Sequence, residues 1–219
     1  MSKNKAFIFD MNGTLIDDMS YHIDVWHDFL NKDLGAELSY EVVKSHMYGK
    51  NDEIIERIFG KGRYTPEEME VFSIEKESRY QRVYKPYLKL IDGLETLLEE
   101  ARERSIPMAI GTAGILFNVR FMVDNLNLSK YFQAIVAADD VSLSKPHPET
   151  FLMAAKALNR NPEDCIVFED SPKGVETALN AGMPCIVIKT GYKEKDFKSF
   201  SNIIKFVDDY TQLSWNDLK

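Results

Sequence analysis

Two patterns of apolar positions divide the chain. Ala6-Phe7-Ile8-Phe9 is an unbroken apolar run that stops at Asp10 and is followed by Asn12-Gly13-Thr14. Such a run predicts a strand buried on both faces, from about residue 5 to residue 9, that delivers Asp10 to its carboxyl end. From Ser20 to about Tyr84 the period changes. Tyr21, Val25, Trp26, Phe29, Leu30 and Leu34 recur at helical spacing, and Ile54, Ile55, Ile58 and Phe59 do so again. Thr65-Pro66-Glu67-Glu68 is a helix start, with Thr65 as N-cap, Pro66 in the first turn and Glu68 at the capping-box position; this third helix runs to about Tyr84. The block shows no strand pattern and reads as an all-helical insertion.

Beyond Lys85-Pro86-Tyr87 short apolar runs alternate with amphipathic stretches. Strands are expected at 107–110, 134–138, 165–168 and 184–188, with an edge strand at 203–207, and helices at 94–101, 116–126, 148–158 and 174–181. Strands alternating with helices require right-handed crossovers and a mostly parallel sheet covered on both faces. The expected fold is therefore α/β, a Rossmann-like doubly wound parallel sheet with an inserted helical domain. The core domain comprises 1–16 plus 88–219, and the helical domain 17–87.

Composition narrows the classes. The 219 residues are 44% apolar, enough for a full core. No apolar run reaches the roughly 18 residues of a membrane span, and the first residues lead into a strand rather than a signal-peptide core, so the expectation is a cytoplasmic protein without membrane attachment. With 27 Lys and Arg scattered among 35 Asp and Glu, the net charge of -8 argues against a nucleic-acid surface. Cys165 and Cys185 each lie inside an expected strand and read as reduced core thiols. A monomer is the default.

In an open parallel sheet, ligands bind at the carboxyl ends of strands. Asp10 and Asn12 follow the first strand, Thr112 the strand at 107–110, and Glu169-Asp170 the strand at 165–168, while Ser144-Lys145-Pro146 precedes a helix. Taken alone, Asp10 also reads as a turn cap, Thr112 as a strand cap and Lys145 as a solvated loop lysine. Together they form a carboxylate nucleophile, a hydroxyl, an ammonium and an acidic pair. That set suits phosphoryl transfer with a hard divalent cation, the cations offsetting the charge that would repel an attacking carboxylate.

Asp10-Met-Asn12-Gly13-Thr14, Thr112, Lys145-Pro146 and Glu169-Asp170, in this order and spacing, resemble the four motifs of the haloacid dehalogenase superfamily, and the helical block resembles its α-helical cap. Tyr21-His22, Ser144-Lys145-Pro146-His-Pro148, Glu169-Asp170-Ser171-Pro-Lys-Gly174 and Lys76 are most similar to the branch of β-phosphoglucomutase and small sugar-phosphate phosphatases. The resemblance implies that Asp10 attacks phosphorus to form an aspartyl phosphate. Mg²⁺ is then held by Asp10, the Asn12 carbonyl and Asp170, with Glu169 beside it. Thr112 and the Ala113 amide bind the phosphoryl group, and Lys145 bridges it to Asp10. The implied partner is a small phosphorylated substrate, enclosed as the cap closes, with Lys76 a cap contact. Lys50-Asn51 stands where the mutase carries an arginine, and a point-charge lysine does not reproduce a bidentate grip on a second phosphate. The mutase remains the alternative to a phosphatase.

The resemblance fails at Asn12, where these enzymes usually carry the aspartate that serves as general acid and base. A carboxamide exchanges no proton near neutral pH, which removes a contribution of about 10² to 10⁴ in rate. Four readings stay open: a native asparagine with His22 relaying the proton, an introduced change that slows turnover, a protein that binds phosphorylated ligands without efficient turnover, or deamidation at Asn12-Gly13, where no Cβ blocks attack by the glycine nitrogen. His22 is equally read as a packed or hinge histidine. Dehalogenases of the superfamily do not need Glu169-Asp170. Phosphonoacetaldehyde hydrolases use a cap lysine as Schiff base, a role for which Lys50 is the candidate and which nothing in its surroundings marks.

Overall fold

A computed structural model describes residues 5–218. The chain forms two compact units, Met1–Asp17 with Lys89–Lys219, and Asp18–Leu88.

The first unit is a six-stranded, wholly parallel sheet. Its strands are β1 (Ala6–Phe9), β2 (Met108–Gly111), β3 (Ala134–Val136), β4 (Cys165–Glu169), β5 (Cys185–Ile188) and β6 (Ile203–Val207), in the order β3-β2-β1-β4-β5-β6. β1 lies between β2 and β4, with Phe9 opposite Ile110 on one side and Phe168 on the other. The chain winds outward from β1 through β2 to β3, then returns to the far side of β1 as β4. A crevice opens at that reversal, at the carboxyl ends of β1 and β4.

Side chains alternate across the sheet. Ile8, Ala109, Val167 and Val187 pack with Phe151, Ala154, Ala155, Val175 and Ala178, which are supplied by the helices Glu149–Ala157 and Pro172–Asn180. On the other face the aromatic rings interlock. Phe9 stacks on Phe168 at 4.4 Å between centroids, Phe7 meets Phe168 edge-on at 5.4 Å, and Trp215 stacks beyond Phe7 at 6.3 Å.

The second unit holds helices Met19–Asp28, Tyr40–Ser45, Asn51–Phe59 and Pro66–Tyr84. Ile23, Trp26, Phe29, Leu30, Val43, Ile54 and Ile55 form its core. The first helix ends in a π-helical turn, Phe29–Asp33. The capping box is present: Glu68 N donates to Thr65 Oγ1 at 3.2 Å and Thr65 N donates to the Glu68 carboxylate at 2.8 Å. Tyr40–Ser45 has no counterpart in the sequence reading because Val43 is its one buried residue, too few to set a period.

Two elements differ from expectation. The strand expected over 134–138 ends at Val136, because Ala138–Asp140 turns into a 3-10 helix that the Asp140 carboxylate closes by accepting from Ala137 N at 2.9 Å. Glu169 is the last residue of β4, paired with Val187, rather than the first residue beyond it. Cys165 and Cys185 are buried and unbridged on neighbouring strands, and burial pushes the Cys165 thiol up to about 11. Among the described residues, no helix is long and apolar enough to cross a membrane.

Phe7 is fully buried between Phe168 and Trp215. Phe7→Ala is expected to cost about 3–5 kcal/mol through lost burial and a cavity, read as a fall in the urea midpoint of unfolding.

Candidate active site

Asp10 leaves the end of β1 beside the end of β4, and both termini are buried. Lys145 Nζ lies 2.8 Å from Asp10 Oδ1 and 2.6 Å from Glu169 Oε1, so one ammonium joins the two strand ends. The second oxygen of Glu169 accepts from Asp170 N at 2.9 Å, Ser171 N at 3.0 Å and Ser171 Oγ at 3.1 Å. Ser171 in turn caps the helix Pro172–Asn180 by accepting from Gly174 N at 3.1 Å. Glu169 therefore sits on a helix N-terminus, where backbone amides and the helix dipole favour a carboxylate.

Two glycines permit this crowding. A Cβ on Gly174 would stand 1.7 Å from Glu169 Cδ, and one on Gly13 would stand 2.3 Å from Asp170 Oδ2. Gly13 also has a φ of 75°, in the left-handed region that glycine adopts without strain. Asn12 forms an isolated parallel bridge with Ile16 across the tight turn after β1. Thr112 is buried beyond β2; its N–H donates to Val136 O at 2.9 Å and its hydroxyl accepts from Gly114 N at 3.0 Å. A Cβ on Gly114 would lie 3.4 Å from both Asn12 Oδ1 and Thr112 Oγ1, so the asparagine amide and the threonine hydroxyl border the same small space, with Ala113 between Thr112 and Gly114.

Three buried carboxylates face one ammonium. Burial pushes the Asp10 carboxyl up to about 7 despite the neighbouring Lys145. Burial, then the Glu169 and Asp10 charges, holds Asp170 well above the usual carboxylate range. Burial alone would lower Lys145, but the carboxylates of Asp10 and Glu169 outweigh it and raise the ammonium above its ordinary value. Oxygens of Asp10, Glu169 and Asp170 lie within 4.8 Å of one another. Mg²⁺ binds oxygens at about 2.1 Å, so its ligand oxygens stand no more than about 4.2 Å apart, a separation that falls inside this limit. The donor set and its uncompensated negative charge fit a hard divalent cation. Both Glu169 oxygens already accept hydrogen bonds, which leaves Asp10 and Asp170 as the better placed ligands.

The remaining candidates lie in the helical unit, where His22, Lys76 and Asn51 are joined through Glu77 into a cluster of their own. Lys76 is 1% exposed; its Nζ lies 2.7 Å from His22 Nδ1 and 3.0 Å from Glu77 Oε1, above the Trp26 ring at 5.0 Å. Burial lowers the Lys76 ammonium against the opposing pull of Glu77. His22 stacks on Tyr80 at 3.7 Å, with Nε2 3.4 Å from the Asp18 carboxylate, which also accepts from the Tyr80 hydroxyl. Asn51 Nδ2 donates to Ser73 Oγ at 2.7 Å and Glu77 Oε1 at 2.8 Å. Lys50 precedes the helix Asn51–Phe59, its backbone N–H donating to Glu53 Oε2 at 3.1 Å.

Sequence reasoning missed the residues that brace the turn after Asp10. Thr190 Oγ1 donates to Gly13 O at 2.7 Å and the Tyr210 hydroxyl to Thr14 O at 3.0 Å. Neither residue stands in a local pattern that marks it, because each acts on a turn nearly two hundred residues away.

Fold and site together define a doubly wound α/β enzyme built around a strand-end carboxylate. The family described as haloacid dehalogenase-like hydrolase matches residues 7–188, and the chain belongs to it. An uncharacterised protein of Haemophilus influenzae is 35% identical over 191 residues, 85% of this chain and 92% of its own length. The fructose-1-phosphate phosphatase YqaB of Escherichia coli is 27% identical over 185 residues, 84% of this chain and 96% of its own. The crystal structure of β-phosphoglucomutase from Clostridium difficile superposes with a TM-score of 0.84 at 27% identity, covering 98% of this chain and 95% of that one. The chain is an enzyme of the phosphatase or phosphoglucomutase-like kind.

The raised Asp10 carboxyl fixes the sign of a pH effect. Its folded pKa of about 7 exceeds the ordinary 3.8, so the native state binds the proton more tightly and this group's contribution to stability is lost as pH rises from about 4 through about 7. In calorimetry without divalent cation, melting temperature is expected to carry this fall. Added Mg²⁺ should raise it most above about pH 7, and Asp170→Asn should remove most of the Mg²⁺ increment.

Proposed function

We propose that the chain is a Mg²⁺-dependent phosphatase acting on a small sugar phosphate or related monoester through an aspartyl phosphate on Asp10. The observation that carries the reading is the Lys145 ammonium set between Asp10 and Glu169 at the sheet's point of reversal, 2.8 and 2.6 Å from their oxygens. Lys145 keeps Asp10 oriented and draws off charge that would otherwise oppose its approach to an anionic phosphoryl group.

An Asp10 oxygen attacks phosphorus in line, the bond to the sugar oxygen breaks, and that oxygen takes up a proton. Water then attacks the aspartyl phosphate at phosphorus, losing a proton and releasing phosphate with Asp10 restored. Thr112 and the Ala113 amide receive the phosphoryl oxygens. Asp10, Asp170 and the Asn12 backbone carbonyl would hold Mg²⁺, with Glu169 beside it as the anchor of Lys145. When bound, the cation neutralises the carboxylates and the phosphoryl oxygens together. The Asn12 amide can hydrogen-bond the departing oxygen but supplies no proton, so both proton transfers fall to water or to His22.

The helical unit's candidates belong to the proposal, Lys50, Asn51 and Lys76 as substrate contacts and His22 as a proton relay, and their chemistry favours a phosphatase over a mutase. Lys76 shares its charge with Glu77, and the Asn51 NH₂ group is taken up by Ser73 and Glu77. With Asp18 beside His22, this cluster lacks the excess positive charge that a second phosphate needs. The fructose-1-phosphate phosphatase relative supports the sugar-phosphate class. A cytoplasmic monomer completes the reading.

Phosphate release from a panel of sugar monophosphates, with and without Mg²⁺, tests the proposal. Asn12→Asp is expected to raise turnover about 10²- to 10⁴-fold by restoring the acid and base. Asp10→Ala should abolish turnover and the acid-trapped phosphoenzyme. Isomer interconversion of β-glucose 1-phosphate that depends on a bisphosphate primer would replace the phosphatase with the mutase; phosphate-ligand binding with no turnover in either Asn12 form would leave a binding protein.

A further inference from the structure

We propose that Thr190, acting with Tyr210, is a positioning residue that fixes the peptide planes around Gly13, and thereby both the direction of the Asn12 carbonyl and the chemical survival of the Asn12 amide. The catalytic half of this inference rests on the phosphatase reading; the chemical half does not.

Three consecutive carbonyls in the turn after Asp10 are each held by a donor from a different part of the same unit. Thr190 Oγ1 donates to Gly13 O at 2.7 Å, the Tyr210 hydroxyl to Thr14 O at 3.0 Å, and Ile91 N to Leu15 O at 3.0 Å. Gly13 N closes the turn by donating to Ile16 O at 2.8 Å. Both donating side chains are themselves set by the core. Thr190 follows β5, and its own N–H returns to Ile188 O at 3.0 Å. Tyr210 is buried, its ring 5.9 Å from Phe168 and 6.5 Å from Phe9.

A glycine with a φ of 75° is the softest point of the turn, because it has no Cβ to restrict rotation. Two tethers remove that freedom. The Asn12 carbonyl and the Gly13 N–H share one trans peptide plane and point in opposite directions, so tying Gly13 N–H to Ile16 aims the Asn12 carbonyl the other way. Tying the Gly13 carbonyl to Thr190 fixes the next plane. Gly13 is pressed against Asp170, where its Cβ would lie 2.3 Å from Oδ2, so the clamp sets the Asn12 carbonyl relative to the carboxylate with which it would share Mg²⁺.

The same tethers oppose deamidation. In that reaction Gly13 N loses its proton and attacks Asn12 Cγ, ammonia leaves, and water opens the resulting succinimide to aspartate or isoaspartate. Gly13 N is committed to Ile16, and the tether from Thr190 holds the following plane, so the Gly13 backbone cannot swing to carry its nitrogen toward Cγ. The Asn-Gly pair that reads as labile in the sequence is therefore protected in the fold.

Thr190→Val keeps the side-chain shape and deletes the hydroxyl; Thr190→Ser keeps the hydroxyl; Tyr210→Phe deletes the second donor. Peptide mass mapping of protein incubated at mildly alkaline pH is expected to show Asn12 converting roughly three- to tenfold faster in Thr190→Val than in the parent, with Thr190→Ser close to the parent. In phosphate release by fresh protein, the half-saturating Mg²⁺ concentration should rise by a similar factor in Thr190→Val, with the substrate KM little changed and Thr190→Ser restoring the parent value. Hydrogen exchange in the parent should show a protected Gly13 amide, a readout independent of any variant folding and of any activity. Rapid exchange at Gly13, or deamidation unchanged in folded Thr190→Val and Tyr210→Phe, would overturn the clamp. Absence of turnover in every form, including Asn12→Asp, would count against the phosphatase reading while the exchange and deamidation results still decide the clamp.

Discussion

The site depends on a single ammonium buried among three carboxylates. Lys145 reaches Asp10 and Glu169 at hydrogen-bonding distance, and Asp170 adds a third negative group within the same few ångströms. Such a cluster is costly unless each charge is hydrogen-bonded or neutralised. Glu169 is satisfied by Lys145, two backbone amides and the Ser171 hydroxyl. Asp10 and Asp170 are less well compensated, and their raised proton affinity records the deficit. A divalent cation or a proton removes it. The charge deficit left in the polypeptide is thus the property that suits this cluster of carboxylates to a divalent cation.

Backbone geometry allows that density of charge. The order β3-β2-β1-β4-β5-β6 brings the ends of β1 and β4 side by side, so residues far apart in the chain meet without a special linker. Gly13 and Gly174 let backbone approach Asp170 and Glu169 where any Cβ would collide. The aromatic stack of Phe7, Phe9, Phe168 and Trp215 beneath the sheet gives the strand ends a rigid base, since edge-to-face and offset rings resist sliding. A site of this kind needs close placement of its groups, and here the core supplies it.

The helical unit uses charge differently. Lys76, Glu77, His22, Asp18, Tyr80 and Asn51 satisfy one another within the unit, with Trp26 beneath the ammonium. A connected polar network fixes side-chain orientation more sharply than apolar packing does, because each broken link strands a buried polar group. It also mutes the cationic character that a lone lysine would offer.

Much of this was legible in the linear sequence. Unbroken apolar runs, helical periodicity and the Thr65-Pro66-Glu67-Glu68 start signal determined the alternating α/β core and the helical insertion, because burial on both faces of a parallel sheet and helix capping leave local marks. The motif residues Asp10, Thr112 and Glu169-Asp170 were visible for a related reason, since chemistry placed at strand ends interrupts apolar runs, whereas Lys145 was marked only by its motif before a helix. Only the tertiary structure decided which of these groups touch, that Glu169 anchors Lys145 and a helix N-terminus, that Lys76 is already paired, and that Thr190 and Tyr210 brace a turn nearly two hundred residues away. Hydrogen bonds between distant segments leave no periodic or compositional trace; they exist only once the sheet has fixed where each strand ends.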